Sequence, residues 1–233
     1  MDFGDRHVVV SGGTGALGAA VVRALTEAGA YCHVPYLHEA EAQRFPLRAD
    51  ARVRLVANSE LGDEAAVARV YEGVPKLWAS VHLAGGFAAS AVADTSKRDL
   101  MQQIDTNLVT CFLCCRAAVN AIKRAGDGGR IVNVAARPAL EWRAGAGMAA
   151  YAASKAAVAA LSVALAEEVA KDGILVNAIA PSILDTPANR NAMPKADHSL
   201  WPKVEEVART IVFLASPDNK VTRGGVVPVY GKS

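Results

Sequence analysis

Apolar residues fall along this chain in short unbroken runs rich in β-branched side chains, and between the runs the apolar positions recur at helical spacing. The first run is His7-Val8-Val9-Val10-Ser11, followed by an alanine-rich helical pattern that reaches Gly29. Further runs lie at Ala30 to Pro35, Arg52 to Val56, Trp78 to Leu83, Arg130 to Val134, Ile174 to Ile179 and Gly225 to Val229. Helical patterns are predicted from about Asp63 to Glu72, Ser96 to Arg124, through Tyr151 to Lys171, and from Val204 to Leu214. Strands that are apolar on both faces and alternate with helices make a parallel sheet covered on both sides. The expected fold is therefore α/β, a doubly wound parallel sheet of Rossmann type with helices on both faces. No repeat, low-complexity tract or linker divides it, so residues 1–233 are read as one domain.

Composition narrows the partners. The chain has 233 residues, is 52% hydrophobic and carries a formal charge of +2, too small and too evenly spread to suggest nucleic acid or an anionic membrane. No apolar run is expected to reach the roughly 18 residues of a membrane helix, because Lys155, Arg116 and Lys123 interrupt the most apolar stretches. Met1 to Arg6 runs directly into the first strand without signal-peptide character, and the expected location is cytoplasmic. Cys111, Cys114 and Cys115 share part of a helix face but have no Cys/His pair at zinc spacing elsewhere, so they are read as packing thiols and no metal is expected.

Two stretches carry chemistry. Gly12-Gly13-Thr14-Gly15-Ala16-Leu17-Gly18 sits between a strand and a helix, where glycines permit a tight bend, let a pyrophosphate approach the backbone and aim N–H groups and the positive helix end at it. The second strand ends on Tyr36, where an NAD-selecting site would place an acid on the ribose 2′-hydroxyl. With neither an acid there nor an Arg at Leu37 or His38, the choice between NADP and NAD stays open, with a slight lean to NADP. Tyr151 and Lys155 lie four apart on a helix, so the ammonium can approach the phenol oxygen, favour its ionised form and make it a general acid or base near neutral pH.

Over nearly its whole length the chain resembles the short-chain dehydrogenase/reductase family. The glycine turn matches the family's Gly-x-x-Gly-x-x-Gly form, Asn107 its active-site Asn, Tyr151 and Lys155 its catalytic pair, and Asn177-Ala178-Ile179-Ala180-Pro181-Ser182 its Asn-x-x-x-Pro-Gly segment. The resemblance implies a small-molecule reductase in which Tyr151 gives the proton and Lys155 lowers its pKa and holds the nicotinamide ribose. Asn107 would support a water-linked proton path. Ala84, Gly85 and Gly86 would border the cofactor, and Pro181 and Ile183 to Thr186 would meet the nicotinamide carboxamide. It also implies a homodimer or homotetramer paired through the helices near 100–124 and 150–171, which are apolar on more than one face.

Two departures stand out. His82-Leu83-Ala84-Gly85 replaces the family's Asn-Asn-Ala-Gly, with His82 read as a strand residue, and Ala136 stands where the family has its catalytic Ser, with no hydroxyl nearby. The dihydropteridine reductase branch shows a similar combination, resembling this chain in Ala84-Gly85-Gly86-Phe87-Ala88 and in Leu184 to Asp197. On that resemblance Ala136, Arg137 and Trp201 border the substrate. The expected function is hydride transfer to a C=O or C=N group of a small conjugated molecule. The alternative is a catalytically weak NAD(P)-binding sensor or structural protein that has lost the Ser.

Overall fold

The computed structural model describes residues 1–233. Its strands are β1 (His7–Ser11), β2 (Tyr31–Pro35), β3 (Val53–Val56), β4 (Leu77–His82), β5 (Gly129–Val134), β6 (Ile174–Pro181) and β7 (Val226–Val229). All pair in parallel, in the order β3-β2-β1-β4-β5-β6-β7. The helices are α1 (Ala16–Glu27), α2 (Glu39–Arg44), α3 (Glu64–Glu72), α4 (Lys97–Ile104), α5 (Thr110–Ala125), α6 (Ala149–Glu168), α7 (Pro187–Ala192) and α8 (Val204–Ala215).

The pleat of β1 explains why its run is continuously apolar. Val8 and Val10 enter a cluster with Val21, Val22 and Leu25 of α1 and Val207, Ala208 and Ile211 of α8. Val9 enters the opposite cluster, with Val67 and Val70 of α3, Cys111, Leu113, Cys114 and Cys115 of α5 and Val158 and Ala166 of α6. Each fully buried Val, Leu or Ile contributes about 1.5–3 kcal/mol, so the three-layer sandwich rests on these two clusters. Strand order reverses direction between β1 and β4, and in open parallel sheets that switch point, at the carboxyl ends of the strands, opens the ligand crevice.

The structure differs from the sequence pattern in four places. The helix predicted from Ser96 to Arg124 is two α-helices joined by a π-helical segment, Asp105–Val109. The two short helices α2 and α7 are additional. Helix α6 is long and apolar enough, by length and composition alone, to cross a membrane, contrary to the expectation that Lys155 interrupts every such run. In the fold it lays Ser154, Lys155, Val158, Ala159, Ser162 and Ala166 inward, and it packs on β5 and β6.

Candidate active site

At the switch point the glycine turn is fixed by contact. Gly12 has φ +67°, and a Cβ on it would stand 2.6 Å from the Ala84 backbone nitrogen; one on Gly18 would stand 2.2 Å from the Gly12 carbonyl oxygen. Side chains are therefore excluded where β1, β4 and α1 meet. Gly15 caps α1 without any side-chain bond, and the first backbone bond into the helix runs from Ala19 N–H to the Gly15 carbonyl. The N–H groups of Ala16, Leu17 and Gly18 are left pointing out of the helix end, which is the donor set and field direction a pyrophosphate requires. The residues present fit a dinucleotide.

At the outer end of this cradle, the Tyr36 hydroxyl donates to Glu39 Oε2 (3.1 Å) and the Thr14 hydroxyl to Glu41 Oε2 (3.3 Å). Both carboxylates belong to the first turn of α2, the element that sequence patterning missed. No acid stands at Tyr36 itself; the fold brings Glu39 beside it and Glu41 beside Thr14.

The π-helical segment carries Asn107. Such an insertion re-aims the residues within it and is common at functional sites. Here the buried Asn107 amide donates through Nδ2 to the Gly86 carbonyl (3.0 Å) and to Ser154 Oγ (3.1 Å), and its Oδ1 accepts from Gly86 N–H (3.0 Å). Ser154 donates on to the Tyr151 carbonyl at 2.8 Å. Asn107 thus ties the Gly85–Gly86 turn to the first turn of α6. Ser154 was not among the residues predicted for the site, and it lies inside the Tyr-x-x-x-Lys spacing, where a hydroxyl partner for Asn107 could have been sought.

Lys155 is buried and its Nζ donates to the Val134 carbonyl at 2.9 Å. Burial, which penalises the charged form, lowers its pKa to about 8. A Cβ on Gly85 would stand 2.7 Å from Asn107 Oδ1 and 3.2 Å from Lys155 Nζ, so Asn107, Lys155 and the Gly85 backbone converge on one point. Tyr151 lies against Phe87, ring centroids 4.9 Å apart and edge to face. Burial pushes its phenol up to about 12. This corrects the expectation that Lys155 lowers it: the ammonium is committed to a backbone carbonyl, and desolvation of the phenolate dominates. A phenol held neutral is loaded to donate a proton.

On the far side of the crevice, Ala136 is buried in extended backbone beyond β5, and no Ser, Thr or Tyr lies between Asn133 and Tyr151. Arg137 pairs with Glu141 (2.7 Å) at the solvent-exposed rim and lies over the Tyr230 ring at 5.0 Å. Pro181 ends β6, the half-exposed Ile183 follows it, and the Thr186 hydroxyl caps α7 by accepting from Asn189 N–H at 3.2 Å. Trp201 corrects a second expectation. It is buried, its ring 4.6 Å from that of His198, so it packs the base of the 184–201 segment and offers no free aromatic face. The exposed aromatic beside Tyr151 is Phe87.

Residues 6–197 match the short chain dehydrogenase family. The chain is a short-chain dehydrogenase/reductase. It is 34% identical to the galactitol 2-dehydrogenase of Rhizobium johnstonii, over 97% of this chain and 93% of that protein. It is 29% identical to a (2S)-[(R)-hydroxy(phenyl)methyl]succinyl-CoA dehydrogenase subunit of Thauera aromatica, over 99% and 97% of the two chains. Among solved structures, gox2181 is 28% identical with a TM-score of 0.89, covering 99% of this chain and 96% of its own. ElxO with NADP bound shares the fold at 22% identity and a TM-score of 0.88, over 97% and 98%. Membership of this family makes the protein an NAD(P)-dependent oxidoreductase.

Proposed function

We propose that this short-chain dehydrogenase/reductase reduces a C=O or C=N group of a small conjugated molecule, in the manner of the dihydropteridine reductase branch. The reduced nicotinamide supplies the hydride when bound. Tyr151, kept protonated by burial, gives its proton to the substrate oxygen or nitrogen as that atom gains charge. Lys155, with its pKa near 8, lies close enough to neutrality to pass a proton on towards Tyr151 from solvent. Asn107 supports this path as a positioning residue: both ends of its amide are used in holding Gly86 and, through Ser154, the Tyr151 turn.

The observation that carries the substrate class is the wall at Ala136. A developing oxyanion normally needs a second fixed donor, and losing one costs on the order of 100-fold to 1000-fold. A quinonoid pterin or a quinone spreads the incoming charge over several heteroatoms and depends less on that donor. Phe87 adds an exposed ring next to Tyr151 that suits a flat, conjugated acceptor. The test is a scan of NADH and NADPH oxidation against quinonoid dihydropterin, quinones, diketones and simple aldehydes and ketones. Turnover confined to the conjugated set supports the reading, and turnover confined to the simple carbonyls ends it. The missing hydroxyl also favours a second reading, a cofactor-binding protein with little turnover, which tight NAD(P)H binding without oxidation of any acceptor would support.

The same reading places two or four copies together through α5 and α6. Phe112 and Val163 on these helices, and Leu100 and Met101 on α4, are large apolar side chains left exposed in the single chain. Light scattering at micromolar concentration tests it; a monomer would remove the claim. A cytoplasmic location fits the four free, buried cysteines.

A further inference from the structure

His82, the residue that departs from the family's Asn-Asn-Ala-Gly segment, does not stand alone in the core. Cys111 and Cys115 lie four apart on the inner face of α5, directly across from the end of β4, and the ligand atoms of the three side chains all fall within 4.8 Å of one another. All three are buried. Two ligands four apart on one helix face are how a helix commonly presents a pair of donors to a single ion. We propose that His82, Cys111 and Cys115 form a closed site for one thiophilic divalent ion of the zinc or cadmium kind, with Asn133 as the fourth donor.

The distances suit that use. Zinc–sulfur and zinc–nitrogen bonds of about 2.3 and 2.0–2.1 Å at a tetrahedral angle place S and N about 3.5 Å apart. Cys115 Sγ stands 3.5 Å from His82 Nδ1. Asn133 Oδ1 is 3.4 Å from Cys115 Sγ and 2.7 Å from His82 Nδ1, so it completes the fourth corner with a small retreat from the imidazole. The outer partners are also in place. His82 Nε2 meets Ser80 Oγ at 2.8 Å and the Tyr71 hydroxyl at 3.2 Å, and Asn133 Nδ2 donates to Ser162 Oγ at 2.9 Å. The hydroxyls of Ser80 and Tyr71 can donate to Nε2 or accept from it. Without metal, Nδ1–H donates to Asn133 and Nε2 accepts; with metal, the proton moves to Nε2 and Nδ1 offers its lone pair. A ligating histidine is commonly oriented by such a partner on its other nitrogen.

Binding balances as M2+ plus two thiols giving the bis-thiolate complex and two released protons, so the net charge of the site does not change. Lys155, whose charge lies on the same side of the sheet, therefore feels little difference. The ion should act on stability and leave turnover alone. The site is covered on every side, so filling requires local opening or occurs during folding.

The experiment uses reduced, chelator-treated protein, incubated with equimolar cadmium both as the native fold and during refolding, then freed of loose metal by gel filtration. The expected result is one cadmium per chain, an ultraviolet thiolate-to-cadmium charge-transfer band with the intensity of two thiolates, a raised melting temperature, and turnover within about twofold of the metal-free protein. Cys111→Ser and Cys115→Ser should each lower retention about tenfold or more, whereas Cys32→Ser, on β2, should leave retention unchanged. Wild-type protein that retains no cadmium by either route overturns the proposal, as does retention unaffected by either α5 substitution. If a variant fails to fold, the thiolate count in the wild-type band still decides.

Discussion

The two halves of the crevice are built by different means. On the cofactor side the decisive positions are ones without side chains: Gly12 and Gly18 touch backbone so closely that no Cβ fits, and the helix end they shape is left uncapped. On the opposite side the lining comes from side chains of separated segments, with Arg137 paired to Glu141 and set over Tyr230, and Ala136 standing where the family resemblance leads one to expect a hydroxyl. A wall set by backbone contact permits few sequences. One set by side chains can be rebuilt without disturbing the fold.

The largest break should come at the boundary between the halves. Tyr151→Phe keeps the ring against Phe87 and loses only the proton, so turnover should drop about 100-fold to 10,000-fold with cofactor affinity close to wild type, checked by steady-state rates and fluorescence titration. Equal rates would remove Tyr151 from the chemistry. Next, Gly18→Ala drives a methyl into the Gly12 carbonyl and should weaken NAD(P)H binding at least about tenfold, through movement of the helix end, while Gly15→Ala, whose Cβ would meet nothing closer than 3.4 Å, should cost far less. Equal losses would show that contact is not what fixes the cradle.

Lys155 gives a smaller effect with a definite sign. Its folded pKa of about 8 lies below the unfolded value of about 10.4, so between those pH values the unfolded chain binds more proton. Stability from this group is lowest below about pH 8 and increases as pH rises from about 8 to about 10. Melting curves should show that rise in wild type relative to Lys155→Met; parallel curves would contradict the burial account. Smallest of all, Glu39→Gln with Glu41→Gln removes an exposed charge beside Tyr36 and a half-buried one beside Thr14 and should shift the NADPH-to-NADH affinity ratio upward by only a few-fold. No shift would mean that the carboxylates turn away from the bound ribose.

The same contrast explains what could be read from sequence. The cradle is local: a β-branched run, a glycine turn and an alanine-rich helix within twenty residues state their own geometry, and a parallel sheet covered on both faces follows from the continuous apolar runs, whereas the strand order is visible only in the structure. Tyr151 and Lys155 were legible because helical spacing places them. The π-helical turn at Asn107 was hidden, because its Asp-Thr-Asn-Leu-Val sequence has no helix breaker and the deviation is imposed by packing against Gly86 and Ser154. The upward shift of the Tyr151 phenol is hidden from sequence for a related reason: spacing shows that an ammonium can approach, while burial and the Val134 carbonyl, both long-range facts, decide the outcome. Trp201 was placed near the crevice by its segment, but its burial depends on His198 and the turn of chain around it.

The central claim is the proposal that the wall at Ala136 suits this oxidoreductase to acceptors that disperse charge. The direct measurement is kcat/KM for a simple ketone and for a quinonoid dihydropterin or quinone, in wild type and in Ala136→Ser. The account predicts that wild type favours the conjugated acceptor and that the new hydroxyl raises the ketone rate by about tenfold or more while changing the conjugated rate by less than about twofold. A wild type that reduces simple ketones efficiently and ignores every conjugated acceptor would contradict it.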